Sequence, residues 1–201
     1  MEAGLAVSRL ALFAYASLAN PASAAETLGR KVGRPVPVRL EGFSRGWTLG
    51  RDNMNSEKTF ARADGSLPRF CLGLNLEPAE VGQAPNGALV ELTEAELDRL
   101  DLREMRYRRI EVTDAIVADS STDASYDTIF AYTARAEHHH PAPPGDAVVI
   151  ANSLRVVEAA FSALGPDQLE VFRATTGPPP VEVAEATLVR DRIPEGNPRA
   201  W

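Results

Sequence analysis

The chain has 201 residues, 44% of them hydrophobic and 24% charged, ordinary proportions for a soluble globular protein long enough to bury one core. Its net charge of −7, with basic residues scattered, works against binding to nucleic acid or an anionic membrane surface, so a small-molecule or protein partner is expected. No apolar run reaches transmembrane length. The single cysteine, Cys71, has neither a disulfide partner nor the spaced companions of a zinc site, which points to a reducing, cytoplasmic location.

Leu10 to Tyr15 has the apolar and aromatic character of a buried first strand, ending in a turn with Ser17, Asn20 and Pro21. The same run, followed by Ala22-Ser23-Ala24-Ala25, imitates a signal-peptide core with a small-residue cleavage site. Glu2 weakens the positive segment such a peptide needs, and Tyr15, Ser17 and Asn20 interrupt the apolar block. The segment is therefore read as part of one domain spanning residues 1–201.

Val36, Val38 and Leu40 alternate with Pro37, Arg39 and Glu41, a half-buried strand whose prolines suggest an edge, and Phe43, Trp47 and Leu49 continue the apolar signal. Polar residues from Arg51 to Pro68 predict an exposed loop able to close over a site. Phe70 to Leu76 and Gly87 to Leu92 read as strands on either side of a turn at Gln83 to Gly87.

Thr93 and Glu96 have capping-box spacing, which starts a short helix through Leu97 and Leu100. After Glu104 the apolar period changes to two, with Ile110 and Val112 opposite Arg109 and Glu111. Glu104 thus stands where a helix gives way to a strand, a place from which a carboxylate can do proton chemistry. Asp119 to Asp127 predicts an exposed turn, Thr128 to Arg135 a strand, and Glu137 to Gly145 a rigid polar connector.

Leu154, Val157, Phe161 and Leu164 make a helical stripe, with Asn152 or Ser153 able to cap its start and Gly165 its end. A second short helix is expected from Pro166 to Arg173, then an extended proline-rich tail from about Gly177, anchored by Trp201. Strands gather before the main helix, which argues for an α+β fold.

Several residues invite functional readings that simpler ones displace. Glu94, Glu96, Asp98 and Asp101 read as a solvated helix face near a favourable N-terminus, and Arg103, Arg106, Arg108 and Arg109 as a solvated strand face. His138, His139 and His140, adjacent in an extended segment, point to alternating sides, which suits a polar loop better than a metal site. Cys71 reads as core. Ser17 has no His and Asp partners for a hydrolase triad, so loop geometry or a hydrogen bond is its expected part.

Two segments carry a family resemblance. Phe13-Ala14-Tyr15-Ala16-Ser17-Leu18 resembles the Tyr-Gly-Ser-Leu loop of the gamma-glutamylcyclotransferase-like superfamily, and Leu100-Asp101-Leu102-Arg103-Glu104 followed by Tyr107 resembles its Leu-Asp-x-x-Glu segment. The strands at Gly42 to Trp47 and Asn86 to Val90, and the helix ending near Phe172 to Thr176, extend the resemblance over Leu10 to Thr176. It implies a small mixed β-barrel with flanking helices. The implied reaction cyclises a gamma-glutamyl peptide or amine to 5-oxoproline and releases the amine, with no metal or cofactor.

The chemistry explains the parts. An α-amino group with a pKa of about 7.7–8.0 is mostly protonated at neutral pH and must lose a proton before it attacks its own γ-carbonyl. The resemblance assigns that general acid/base work to Glu104, which desolvation at the junction would favour. It places substrate-binding backbone amides at Ala16, Ser17 and Leu18, next to Tyr15, and makes Tyr132 a pocket tyrosine whose hydroxyl donates to the substrate. Ala16 stands where the family usually has glycine. If that position needs a positive φ, its Cβ costs roughly 1–2 kcal/mol, and the alternative reading is a non-catalytic small-molecule-binding or regulatory protein on the same fold.

Overall fold

A computed structural model of the chain describes residues 8–80, 82–118 and 123–198. Strand β1 (Leu10–Ala14) lies inside a six-stranded sheet, between antiparallel β6 (Asn86–Leu92) and parallel β9 (Thr128–Ala134). All five β1 residues are buried. A strand covered on both faces has no polar side, which is why it reads as a continuous apolar run. Strand β7 (Tyr107–Glu111) lies outside β9, while β2 (Val36–Leu40) and then β8 (Ile116–Val117) lie outside β6. β8 pairs only with Arg39 and Leu40, so the Pro37 end of β2 is an edge, as expected.

A second sheet has the order β11 (Val183–Ala184), β10 (Ala147–Ile150), β5 (Phe70–Pro78), β3 (Phe43–Asp52). The sheets pack along β5 and β9 without joining in a ladder, so the expected barrel is open. Side chains bridge that seam: Asn75 Oδ1 accepts the Ala134 N–H at 2.7 Å, and the Tyr107 hydroxyl donates to Leu74 O at 2.8 Å. They satisfy main-chain groups that a closed ladder would have paired.

The expectation of an exposed loop from Arg51 to Pro68 is overturned. The segment contains β4 (Lys58–Arg62), which pairs with β12 (Ala186–Asp191) of the tail. Asn53, fully buried, donates to Phe60 O and Pro68 O and accepts from the Phe60 N–H. Lys58 is 1% exposed and pairs with Asp191 Oδ2 at 3.3 Å. The segment is polar because it buries polar groups against specific partners, one of them more than a hundred positions away. The tail is extended as expected, and part of it forms this ladder; its anchor at Trp201, and positions 119–122 of the expected turn, lie outside the described residues.

Among the described residues four helices flank the sheets: α1 (Pro21–Leu28), α2 (Glu94–Arg103), α3 (Ala151–Leu164) and α4 (Gln168–Thr176). The expected turn at Ser17 to Pro21 is a 3-10 turn, Ser17–Ala19, running into α1. Asn20 Oδ1 accepts from the amides of Ala22 at 2.8 Å and Ser23 at 3.4 Å, Pro21 holds the first helical position, and Gly29 ends the helix at φ 71°. The Thr93 and Glu96 capping box of α2 is present.

Neither Asn152 nor Ser153 caps α3. That helix continues directly from β10 with Ile150 at the cap position and no side-chain cap, because strand and helix share a junction with no loop between them. α4 starts at Gln168, after Asp167 at φ 63°, and packs on α3 through Phe172 and Phe161, whose ring centroids are 4.5 Å apart. Cys71 is buried in a small cluster with Phe60, Val148, Ile150 and Ala184. Among the described residues no helix is long and apolar enough to cross a membrane.

Candidate active site

A cavity of about 640 Å³ opens where the end of β1, the 3-10 turn, the α2–β7 junction, β3, β5 and the first turns of α3 meet. Glu104, Tyr15, Ala16, Ser17, Leu18 and Tyr132 all line it. Residues some ninety positions apart therefore share one wall system, because β1 ends beside β9 and β7 starts beside its other edge.

The turn after β1 closes with hydrogen bonds from Ala19 N–H to Ala16 O at 3.0 Å and from Asn20 N–H to Ser17 O at 3.1 Å. The amides of Ser17 and Leu18, at its start, have no acceptor within the turn. Ala16 has φ −140°. An L-residue adopts a negative φ without the left-handed cost, so the alanine escapes that particular penalty, while its ψ of −138° lies outside both the extended and the helical regions.

Two anchors hold this turn from behind. The Tyr15 hydroxyl donates to Tyr132 O at 2.8 Å, and burial pushes that phenol's pKa well up, with the charges of Tyr107 and Glu104 adding to it. Arg45 of β3, 3% exposed, donates to Tyr15 O at 3.3 Å, Asn86 Oδ1 at 2.9 Å and Thr176 Oγ1 at 2.7 Å, and lies 4.3 Å from the Phe172 ring centroid. Burial pulls its pKa down to about 9, against the raising effect of Tyr15. A signal for Arg45 existed in the sequence: it interrupts the apolar alternation of Phe43, Trp47 and Leu49.

Glu104 is the C-cap of α2 and 8% exposed. Its N–H donates to Leu100 O at 2.8 Å and its carbonyl accepts from Tyr107 N–H at 2.7 Å, two bonds that fix the change from helix to strand. Its carboxylate is ion-paired with Arg103 Nη1, and Arg103 Nη2 reaches Ser17 Oγ at 3.4 Å. Arg103 thus joins the carboxylate to the turn.

This corrects the reading of the arginine run as a solvated face at two of its members, while Arg108 is exposed as expected. Arg103 and Arg106 are buried, Arg106 gripping both carboxylate oxygens of Glu57, with Nη1 to Oε1 at 2.9 Å. Arg109 pairs with Asp101 at 3.4 Å. The acidic helix face is solvated at Glu94, Asp98 and Asp101, as expected, and is corrected at Glu96, which is buried and bound by Arg30 Nη2 at 3.0 Å; exposed Asp101 also accepts the Tyr132 hydroxyl at 2.6 Å. A phenol has one proton to give, so the Tyr132 hydroxyl is engaged by Asp101 and the residue presents its ring to the cavity. Burial, then Asp101, push its pKa far up.

Two residues of the cavity wall carry a buried N–H without a hydrogen-bond partner among the described residues, Trp47 Nε1 and Arg103 Nε. Unmet buried donors are rare in folded proteins, and both of these are closed off from the cavity's open space. The histidines lie elsewhere: His139 Nε2 is 2.8 Å from Glu77 Oε1, and the His140 ring packs 5.5 Å from that of Phe70. Among the described residues no group of three or more His, Cys, Asp or Glu is placed to hold a metal ion.

Compared by sequence, the chain matches no protein-family model and no curated protein. Its structure is similar to solved ones. A gamma-glutamyl cyclotransferase superposes with a TM-score of 0.58 at 14% identity, over 88% of this chain and 94% of that one. An uncharacterized protein of Homo sapiens gives 0.57 at 15% identity, over 89% and 95%. YkqA from Bacillus subtilis gives 0.54 at 16% identity over 83% of this chain, which spans 53% of the YkqA chain, about half its length. At these identities the likeness concerns the fold, and the chain has the fold of the gamma-glutamyl cyclotransferase-like proteins.

Proposed function

We propose that the protein is a cytoplasmic, cofactor-independent gamma-glutamyl cyclotransferase that converts a gamma-glutamyl peptide or amine into 5-oxoproline and a free amine. One observation carries the reading: Glu104 and the Ser17 turn line one cavity and are joined through Arg103. In this reaction the substrate's α-nitrogen attacks its own γ-carbonyl carbon, a ring C–N bond forms, and the amide C–N bond to the departing amine breaks. Glu104 takes a proton from the α-nitrogen and returns one to the departing nitrogen, so no water is consumed. In this reading the amides of Ala16, Ser17 and Leu18 at the start of the 3-10 turn serve the negative charge of the substrate's carboxylate or of the carbonyl oxygen as it becomes tetrahedral. Ring closure is intramolecular, and the apolar wall of Leu12, Trp47, Leu72 and Leu74 has the task of holding the folded conformer.

The alternative is a non-catalytic small-molecule-binding or regulatory protein on the same fold; the negative φ of Ala16, which spares the turn a left-handed residue, supports the enzyme reading over it. Release of 5-oxoproline from a panel of gamma-glutamyl dipeptides and gamma-glutamyl amines tests the proposal. Glu104→Gln, checked for folding by thermal melting, is expected to lower kcat by on the order of 10²- to 10⁴-fold. Absence of product from the unsubstituted protein across the whole panel refutes the enzyme reading; undiminished turnover by the variant refutes the assignment of Glu104.

A further inference from the structure

The cavity extends past Glu104. Arg106, two residues on, lines it as well, and so does Arg51 of β3, close enough to Arg106 and Glu57 for their charges to act on it. Three guanidinium groups therefore border the space, and they are not equivalent. Arg103 is paired with Glu104, and Arg106 holds both oxygens of Glu57. Arg51 is 8% exposed and donates to neutral groups, Ser56 Oγ at 3.2 Å and Lys58 O, with the Phe60 ring centroid 5.0 Å away. Glu57, whose charge reaches Arg51, is already engaged by Arg106.

The sub-cluster of Arg51, Arg106 and Glu57 thus carries one net positive charge. Burying a cation without a matching anion is unfavourable, and for Arg51 burial above all, with the nearby Arg106 charge, lowers the pKa. The protein as a whole is acidic, at −7, so this local excess is opposite in sign to the rest of the molecule.

We infer that Arg51 is a specificity residue, forming a subsite for an anionic group, a carboxylate foremost, on the amine half of the substrate. The inference rests on the proposed cyclotransferase reading, which sets the direction of the substrate. With the glutamyl end at the Ser17 turn and the scissile amide at Glu104, the departing amine points toward Arg51. A planar guanidinium matches a carboxylate bidentately, and exclusion of water from a closed site strengthens the contact. Gamma-glutamyl amino acids are then preferred over gamma-glutamyl derivatives of the same amines without the carboxylate.

The experiment compares gamma-glutamyl-alanine with gamma-glutamyl-alaninamide, a pair alike in shape and different in charge. The unsubstituted protein is expected to favour the carboxylate in kcat/KM by on the order of tenfold to a hundredfold, the worth of a charge-assisted hydrogen bond. Arg51→Met, close in shape, brings that ratio to about one, and Arg51→Lys, which keeps the charge but not the fork, retains part of it. A ratio near one in the unsubstituted protein, or a ratio unchanged in Arg51→Met, overturns the inference. Calorimetric binding of the same two compounds to Glu104→Gln protein reads the subsite without turnover. Tighter binding of the carboxylate there, with no 5-oxoproline from the unsubstituted protein, sinks the enzyme reading and sustains the subsite; equal binding sinks the subsite whatever the turnover.

Discussion

Glu57 and Arg106 form a buried pair beside Arg51, and this third charge makes the two partners unequal. Glu57→Gln leaves two buried guanidiniums, Arg106 at 7% exposure and Arg51 at 8%, facing each other without a carboxylate. Removing one partner of a buried ion pair costs about 3–5 kcal/mol. Arg106→Gln leaves Glu57 near Arg51, which takes over part of the compensation, so the expected cost is about 2–3 kcal/mol. With both replaced, no charge is stranded on the pair, and the double variant should lose at least about 2 kcal/mol less than the two single losses added. Urea unfolding of the four proteins measures this against a total stability of about 5–15 kcal/mol for a domain. Burial opposes the ionisation of Glu57, but the hydrogen bonds and charge of Arg106 outweigh it and hold the carboxyl below its usual range. A depressed carboxyl pKa contributes stability above the unfolded value, near 4.5, and loses it as pH falls through the folded value. The unsubstituted protein should therefore lose stability more steeply below about pH 4.5 than Glu57→Gln does. Equal losses for the two single variants, or strict additivity, refute the three-charge account.

Ala16→Gly should not raise the turnover rate: φ is −140°, so no left-handed backbone calls for glycine there. Release of 5-oxoproline checks this, and a clear gain in turnover refutes it. Tyr132→Phe removes a 2.6 Å hydrogen bond to Asp101, a partly exposed acid that keeps Arg109 at 3.4 Å, so about 1 kcal/mol of stability is lost. Turnover should stay within tenfold, roughly that same energy; a fall beyond a hundredfold means that the hydroxyl touches the substrate.

What was legible in the sequence were elements whose burial follows a simple period. β1 reads correctly because both its faces are covered, α2 because its capping box is local, and α3 because its apolar stripe is long. β4 was illegible because Lys58 and Thr59 are polar residues buried by a strand from the tail, a fact no local window contains. α1 was missed because Asn20-Pro21 serves a helix start as well as a turn. At the site, the meeting of Glu104 with the Ser17 turn was expected from motif resemblance. The burial of Arg103, Arg106 and Arg51 was not, since a charge meant for solvent and one meant for a buried partner look alike until the partner is placed.

The position of β1 has a consequence for synthesis. Leu10–Ala14 pairs with Asn86–Leu92 on one side and Thr128–Ala134 on the other, so the strand leaves the ribosome long before either neighbour exists. At about 5–20 residues per second, that interval is on the order of ten seconds. For its length the nascent chain carries an apolar segment with two unpaired edges, an adhesive stretch in need of shielding. The Ser17 turn hangs from this strand, and no fragment ending before β9 can set it in place.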